Sequence, residues 1–203
     1  MSGNQNQGSN LPVEPGGIGL LGLAIVTLVA SSQKLGVTSG FSYAIPWALF
    51  LGAFAQLYAS FNDSKRNNIF GTTAFAAYAL FWFAVGITWL IQMGVFGETM
   101  KADIDIKQLG FAFVGYLIFS IYMTIGAVET NKVLFTIFVL IDLLFIGLSL
   151  SSFNILPEFS HQLAAWSELA ISMVSFYGSA ATVLNHHFER EFLPLGKPLG
   201  IFK

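Results

Sequence analysis

The chain contains no cysteine, which excludes disulfides, thiolate zinc sites, iron–sulfur clusters and thiol nucleophiles. It is also poor in charge. Only 10% of its 203 residues are Asp, Glu, Lys or Arg, where a soluble domain carries roughly a quarter. The net charge of −2 comes without any block of like charges, so nucleic acid is not an expected partner. Three histidines are present, and neither the adjacent pair His186 and His187 nor the distant His161 has metal-ligand spacing. No metal and no cofactor are expected. No Gly-rich phosphate loop, HExxH or Ser-His-Asp arrangement occurs, so nothing in the chain speaks for an enzyme.

What is present is apolar surface. Hydrophobic residues make up 55% of the chain, with 21 phenylalanines. They come in long runs rather than in the alternating patterns of half-buried elements, so most side chains must face lipid.

A membrane-spanning helix takes about 20 apolar residues to cross a hydrocarbon core about 30 Å thick. Six segments have that length, at 17–36, 43–61, 71–94, 108–128, 133–152 and 163–185. They predict an all-α integral membrane protein, a bundle of six transmembrane helices with a central pathway in each protomer. The separating segments are polar, Gly-containing or charged, as in Asn62 to Asn68 and Glu129 to Lys132, and backbone of that kind belongs at the interfaces.

Residues 1–16 read as a disordered cytoplasmic tail without a cleavable signal, 17–185 as the transmembrane domain and 186–203 as a cytoplasmic C-terminal tail. Lys65, Arg66, Lys132, Arg190, Lys197 and Lys203 fall on the side of both termini, and Lys34, Lys101 and Lys107 opposite. The positive-inside rule then places both termini in the cytoplasm, in a multi-pass protein of the inner or plasma membrane. Tyr43, Trp47, Trp89 and Trp166 lie near span ends, where an aromatic belt forms. Gly17, Gly19, Gly22, Gly52, Gly110, Gly115 and Gly126 suit close helix packing, and equally a narrow pore.

Two carboxylates fall within spans, where a charge costs about 2.5–3.5 kcal/mol on insertion scales. Asp142 lies midway along the fifth and Glu168 in the outer part of the sixth. Each is a candidate proton relay; the alternatives are a hydrogen-bonded acid locking helix packing for Asp142 and a solvated or structural carboxylate for Glu168. Gln56, Thr72, Thr73, Ser120 and Thr124 offer hydrogen bonds to a polar solute or to helix backbone. Tyr78, mid-span, needs a partner for its hydroxyl, in a pore or on a neighbouring polar side chain.

The stretch Phe70-Gly71-Thr72-Thr73-Ala74-Phe75-Ala76-Ala77-Tyr78-Ala79-Leu80-Phe81-Trp82 closely resembles the FGxTAFxxYGxFW segment of the acetate and succinate uptake transporters, the YaaH, Gpr1 and Fun34 proteins. Gly19-Leu20-Leu21-Gly22, Ala55-Gln56, Val183-Leu184-Asn185 and Leu193-Pro194-Leu195-Gly196 extend the resemblance over nearly the whole chain. It implies six helices, assembly as a homohexamer in membrane lipid with one pathway per protomer, and passage of acetate and small monocarboxylates, possibly extending to succinate, by channel or by proton symport. The family's constriction maps to Leu23, Tyr78 and Ile141. Its pathway maps onto Gly19, Leu20, Gln56, Thr72, Thr73, Phe75, Phe81, Trp82 and Asn185.

Two departures stand out. The family's NPAPLGL motif appears as Glu14-Pro15-Gly16-Gly17-Ile18-Gly19-Leu20, and its gate phenylalanine is Leu23. Asp142 takes the place of an uncharged residue beside Ile141. The rival readings are a urea or short-amide channel of related architecture and a non-transporting membrane scaffold. A hydrophobic constriction strips water from what passes, and a carboxylate loses far more than its neutral acid. A short carboxylic acid titrates near 4.3, so under about 1% is neutral at pH 7. Assisted anion passage and proton-coupled entry both remain open.

Overall fold

The computed structural model describes residues 13–202; most of the expected N-terminal tail, residues 1–12, lies outside the described residues. Seven helices follow one another: α1 (Gly16–Lys34), α2 (Ala44–Lys65), α3 (Ile69–Gln92), the short α4 (Glu98–Ala102), α5 (Ile106–Ala127), α6 (Lys132–Ser152) and α7 (Pro157–His187). No strand occurs among the described residues. The helices begin where side chains can satisfy free N–H groups: Asn68 accepts from Gly71 N, Asp105 from Lys107 N and Asn131 from Leu134 N, while Pro157 occupies the first turn of α7.

Five helices, α1, α2, α3, α5 and α6, are long and apolar enough to cross a membrane. The sequence predicts a sixth crossing at 163–185. The helix there is the longest of all, starting six residues earlier and running to His187, but it is more polar than the other five. Its polarity points inward. Ser160, Ser167, Ser172, Ser175 and Ser179 are all buried, because α7 packs lengthwise against both α1 and α6. Ser172 Oγ donates to Ala24 O and Ser179 Oγ to Gly17 O, each at 2.7 Å, so small hydroxylated side chains bring α7 onto α1. On its other side a Cβ on Gly147 would meet Ala164 N at 2.6 Å, so the α6 and α7 backbones nearly touch.

Helix α2 changes pitch midway. Ala48–Ala55 winds as π-helix, and the next residue, Gln56, turns its amide back to donate to Gly52 O at 2.8 Å. A Cβ on Gly52 would stand 2.6 Å from Trp82, so that glycine seats the indole. Gly110 and Gly126 likewise abut Phe153 and Phe70, whereas Gly115 faces open space.

Residues 186 and 187 complete α7, and the segment beyond folds back onto the bundle, with Leu199 N donating to Val128 O at 2.9 Å.

Candidate functional site

A cavity of about 490 Å³ opens among the ends of α1, α2, α3, α6 and α7 at the termini-bearing end of the bundle. Its outer wall is polar, with Glu14, Asp63, Asn68, Thr130, Asn131 and Asn185. Deeper in, the wall becomes apolar: Leu20, Phe75, Leu134, Ile137 and Phe138. The deepest lining residues are Leu23, Gln56, Tyr78 and Ile141, each seven to nine residues from its helix end, or about 10–14 Å at 1.5 Å per residue. That is less than half of a bilayer's hydrocarbon core.

This floor is tightly packed. Leu23, Tyr78 and Ile141 are all buried. The Tyr78 ring stands edge-on to Phe119 with centroids 5.5 Å apart and leans on Phe138 at 6.1 Å. Its hydroxyl donates to Ser120 Oγ at 3.2 Å, so of the two partners the sequence allows, the neighbouring side chain is the one used. Past the floor, Phe81, Phe145 and Tyr116 form an interlocked block, Phe81 edge-on to both at 5.0–5.3 Å and Tyr116 stacked on Phe145 at 5.5 Å. Tyr116 Oη donates to Ala77 O at 3.0 Å, which ties α5 to α3 at that level.

The mouth holds its charges in local pairs. Arg66 Nη2 lies 2.9 Å from Glu14 Oε2. Asp63, only 2% exposed, accepts from Asn68 Nδ2 at 2.9 Å and sits against Gly71, where a Cβ would collide with its carboxylate.

Of the residues singled out in the sequence, Leu20, Leu23, Gln56, Phe75, Tyr78, Ile141 and Asn185 share this cavity. Several do not. Gly19 is one layer back, with the Phe75 ring in the space a Cβ would need. Thr72 turns its Oγ1 into the protein without a partner among the described residues, while its carbonyl accepts from Ser60. Thr73 is on the outer surface, since the next residue on a helix points about 100° away. Phe81 and Trp82 are buried past the floor, Trp82 over Gly52. Asn185 turns both ends of its amide to the chain, accepting from Phe192 N and Leu193 N and donating to Leu193 O, each at 2.8 Å.

The two carboxylates within the spans stand apart from the cavity and from each other. Asp142 faces α5, where Thr124 Oγ1 lies 2.7 Å from its Oδ2, and its Oδ1 is buried with no partner among the described residues. Glu168, 2% exposed, forms an ion pair with Lys34 at 2.8 Å and so ties α7 to α1. Sequence reasoning missed Ile137, Phe138 and Leu195 of the cavity wall. An apolar residue on an all-apolar helix carries no mark of which face it occupies, whereas Asn68 and Asn131 stood out only as members of the polar breaks between spans.

The family model described as GPR1/FUN34/yaaH family matches residues 5–195. The chain is 26% identical over 192 residues to the succinate-acetate/proton symporter SatP of Escherichia coli (strain K12), covering 94% of this chain and 98% of that protein. It is 27% identical over 144 residues to ammonia transport outward protein 2 of Saccharomyces cerevisiae, covering 69% of this chain and 51% of the yeast protein. Its fold is similar to the solved structure of the bacterial acetate channel SatP, with a TM-score of 0.83 at 25% identity over 91% of this chain and 99% of the other. On a match that spans nearly its whole length, this chain belongs to the GPR1/FUN34/yaaH family.

Proposed function

We propose that this protein moves acetate and related short-chain monocarboxylates, with succinate as a further substrate, across the cell membrane and catalyses no reaction. The observation that carries the reading is a cavity with a polar mouth that narrows to a buried floor at Leu23, Tyr78 and Ile141, with Gln56 beside them, in a chain similar over more than nine tenths of its length to the SatP symporter and channel. In this reading α7 is the sixth crossing, both termini are cytoplasmic, and six copies assemble with one route in each. The transmembrane unit then comprises residues 17–185, with short segments on either side.

The floor works by dehydration. A carboxylate stripped of water between a leucine, an isoleucine and a tyrosine ring finds only the Gln56 amide, which already donates to Gly52 O, in place of its hydration, and its neutral acid loses much less. The floor therefore favours small solutes and protonated ones. Proton symport follows if the acid takes its proton on the way in. Asp142, one residue from Ile141 and joined through Thr124 to the helix that holds Tyr78's partner Ser120, is the side chain assigned to that proton; Glu168 is assigned to its ion pair with Lys34.

The deciding experiment is uptake of labelled acetate into proteoliposomes at an acid and a neutral pH, with urea and ammonia as comparison solutes and empty liposomes as the leak control. Saturable acetate uptake above the leak, altered when Tyr78 is replaced, supports the reading. Urea uptake without acetate uptake points to an amide channel, and no uptake of any solute to a scaffold.

A further inference from the structure

The segment after α7 is strapped across the cavity's rim by hydrogen bonds to three parts of the bundle. Its start is held by Asn185, through the three bonds given above. Tyr177 Oη then donates to Pro194 O at 2.8 Å. Leu195 O accepts from Val133 N at 3.2 Å, which satisfies one of the N–H groups that the first turn of α6 leaves free. Farther on, Leu199 N donates to Val128 O, and Phe202 N to Glu129 Oε1 at 2.8 Å. Gly196 makes the turn between these anchors with φ of +76° and rests on Lys132, whose Cβ would lie 2.9 Å from an added Cβ. Ordering a chain costs about 1–2 kcal/mol of backbone entropy per residue, and Pro194 and Pro198 reduce that cost by fixing φ in advance.

The strap's leucine at 195 reaches the cavity, where it joins Val133 and Leu134 in the wall. The helix it grips, α6, also supplies Ile137, Phe138 and Ile141. A displaced strap would take Leu195 out of the wall of the mouth and release the first turn of one of the helices that line the deeper cavity.

We propose that residues 192–202 form part of the solute route, that Leu195 limits the size of carboxylic acid admitted at its mouth, and that Asn185 is the positioning residue that holds Leu195 there. The inference rests on the reading of the cavity as the route of an organic acid. It adds a selectivity step ahead of the floor, made by a segment outside the spans.

The test compares uptake of butyrate and acetate in proteoliposomes. Leu195→Ala should raise the butyrate-to-acetate ratio severalfold. Asn185→Ala should raise it in the same direction, and the double variant should go no further, since both changes act through the same side chain. A ratio that stays at the wild-type value while both uptakes fall together would mean that Asn185 and Leu195 serve folding alone, and would overturn the proposal.

A second measurement does not depend on transport. The chain has no cysteine, so Leu195→Cys introduces its sole thiol. A charged, membrane-impermeant thiol reagent should label it slowly, and faster when Asn185→Ala is added; equal rates overturn the clamp. Labelling should also block acetate uptake, and full labelling with uptake intact overturns the placement of Leu195 in the route. Absence of acetate uptake in the wild-type protein would defeat the transport reading itself, while the labelling rates would still decide whether Asn185 holds the strap.

Discussion

Tyr78 on α3 donates its hydroxyl to Ser120 on α5 across 3.2 Å, so the ring that closes the cavity floor keeps its oxygen turned toward the neighbouring helix. Leu23, Tyr78 and Ile141 therefore present apolar surface at the floor even though one of them is a phenol, and the Gln56 amide is the polar group at that depth. The hydroxyl sets where the ring lies, and the ring lines the cavity at its deepest level.

Tyr78→Phe removes that bond but keeps the ring and its contacts with Phe119 and Phe138. A net hydrogen bond contributes about 1 kcal/mol, so the variant should stay folded with acetate uptake within a few-fold of wild type. Tyr78→Ala removes the ring as well, at about 3–5 kcal/mol, and should admit urea alongside acetate. Thermal melting in detergent and paired acetate and urea uptake read both effects; a Tyr78→Ala protein that is folded yet still excludes urea would place the barrier elsewhere.

Asp142→Asn keeps an oxygen to accept from Thr124 Oγ1, which now lies 2.7 Å from Oδ2, and removes the group that can exchange a proton. Uptake at acid pH should persist, and its fall toward neutral pH should flatten. A pH profile superimposable on that of the wild type would remove Asp142 from any role in proton coupling.

The ion pair between Lys34 and Glu168 should be a structural tie. Lys34→Met leaves a carboxylate that is 2% exposed without its partner, at about 3–5 kcal/mol by the behaviour of buried pairs. The double variant Lys34→Met with Glu168→Leu should recover most of that loss. Chemical or thermal unfolding of the three proteins checks this, and a double variant no more stable than the single one would refute it.

Two glycines test packing against each other. Gly147→Ala puts a methyl 2.6 Å from Ala164 N, which is backbone and cannot rotate away, so α6 and α7 should separate and the protein should lose stability by about 1–3 kcal/mol, the usual cost of overpacking. Gly115→Ala meets nothing within 4 Å and should be neutral or gain up to about 1 kcal/mol from helix propensity. Equal melting temperatures for the two variants would contradict the close approach at Gly147.

Much of the architecture was legible because lipid imposes it. A backbone in hydrocarbon must satisfy its own hydrogen bonds, so each long apolar run has to be a helix, and α1, α2, α3, α5 and α6 follow the runs closely. The run at 163–185 showed the helix, though not that its serines would be buried against α1 and α6. Leu23, Tyr78 and Ile141 were expected from resemblance as a constriction, and what the structure shows of them is that all three line the cavity. Thr73, Phe81 and Trp82 came from the same stretch and lie outside it, because consecutive residues of one helix face different neighbours.

The sequence by itself determined the solvent, the helical class and the family, since these follow from how many apolar residues occur in succession and from motifs that need no partner to be read. Only the tertiary structure decided which face of each helix looks inward: lipid and protein interior select the same side chains, and so Ile141 is buried while Leu143, two residues on, is exposed. It alone also joined Lys34 to Glu168 and Asn185 to the strap, because a hydrogen bond forms between groups that folding brings within about 3 Å, and the chain in one dimension does not record that distance.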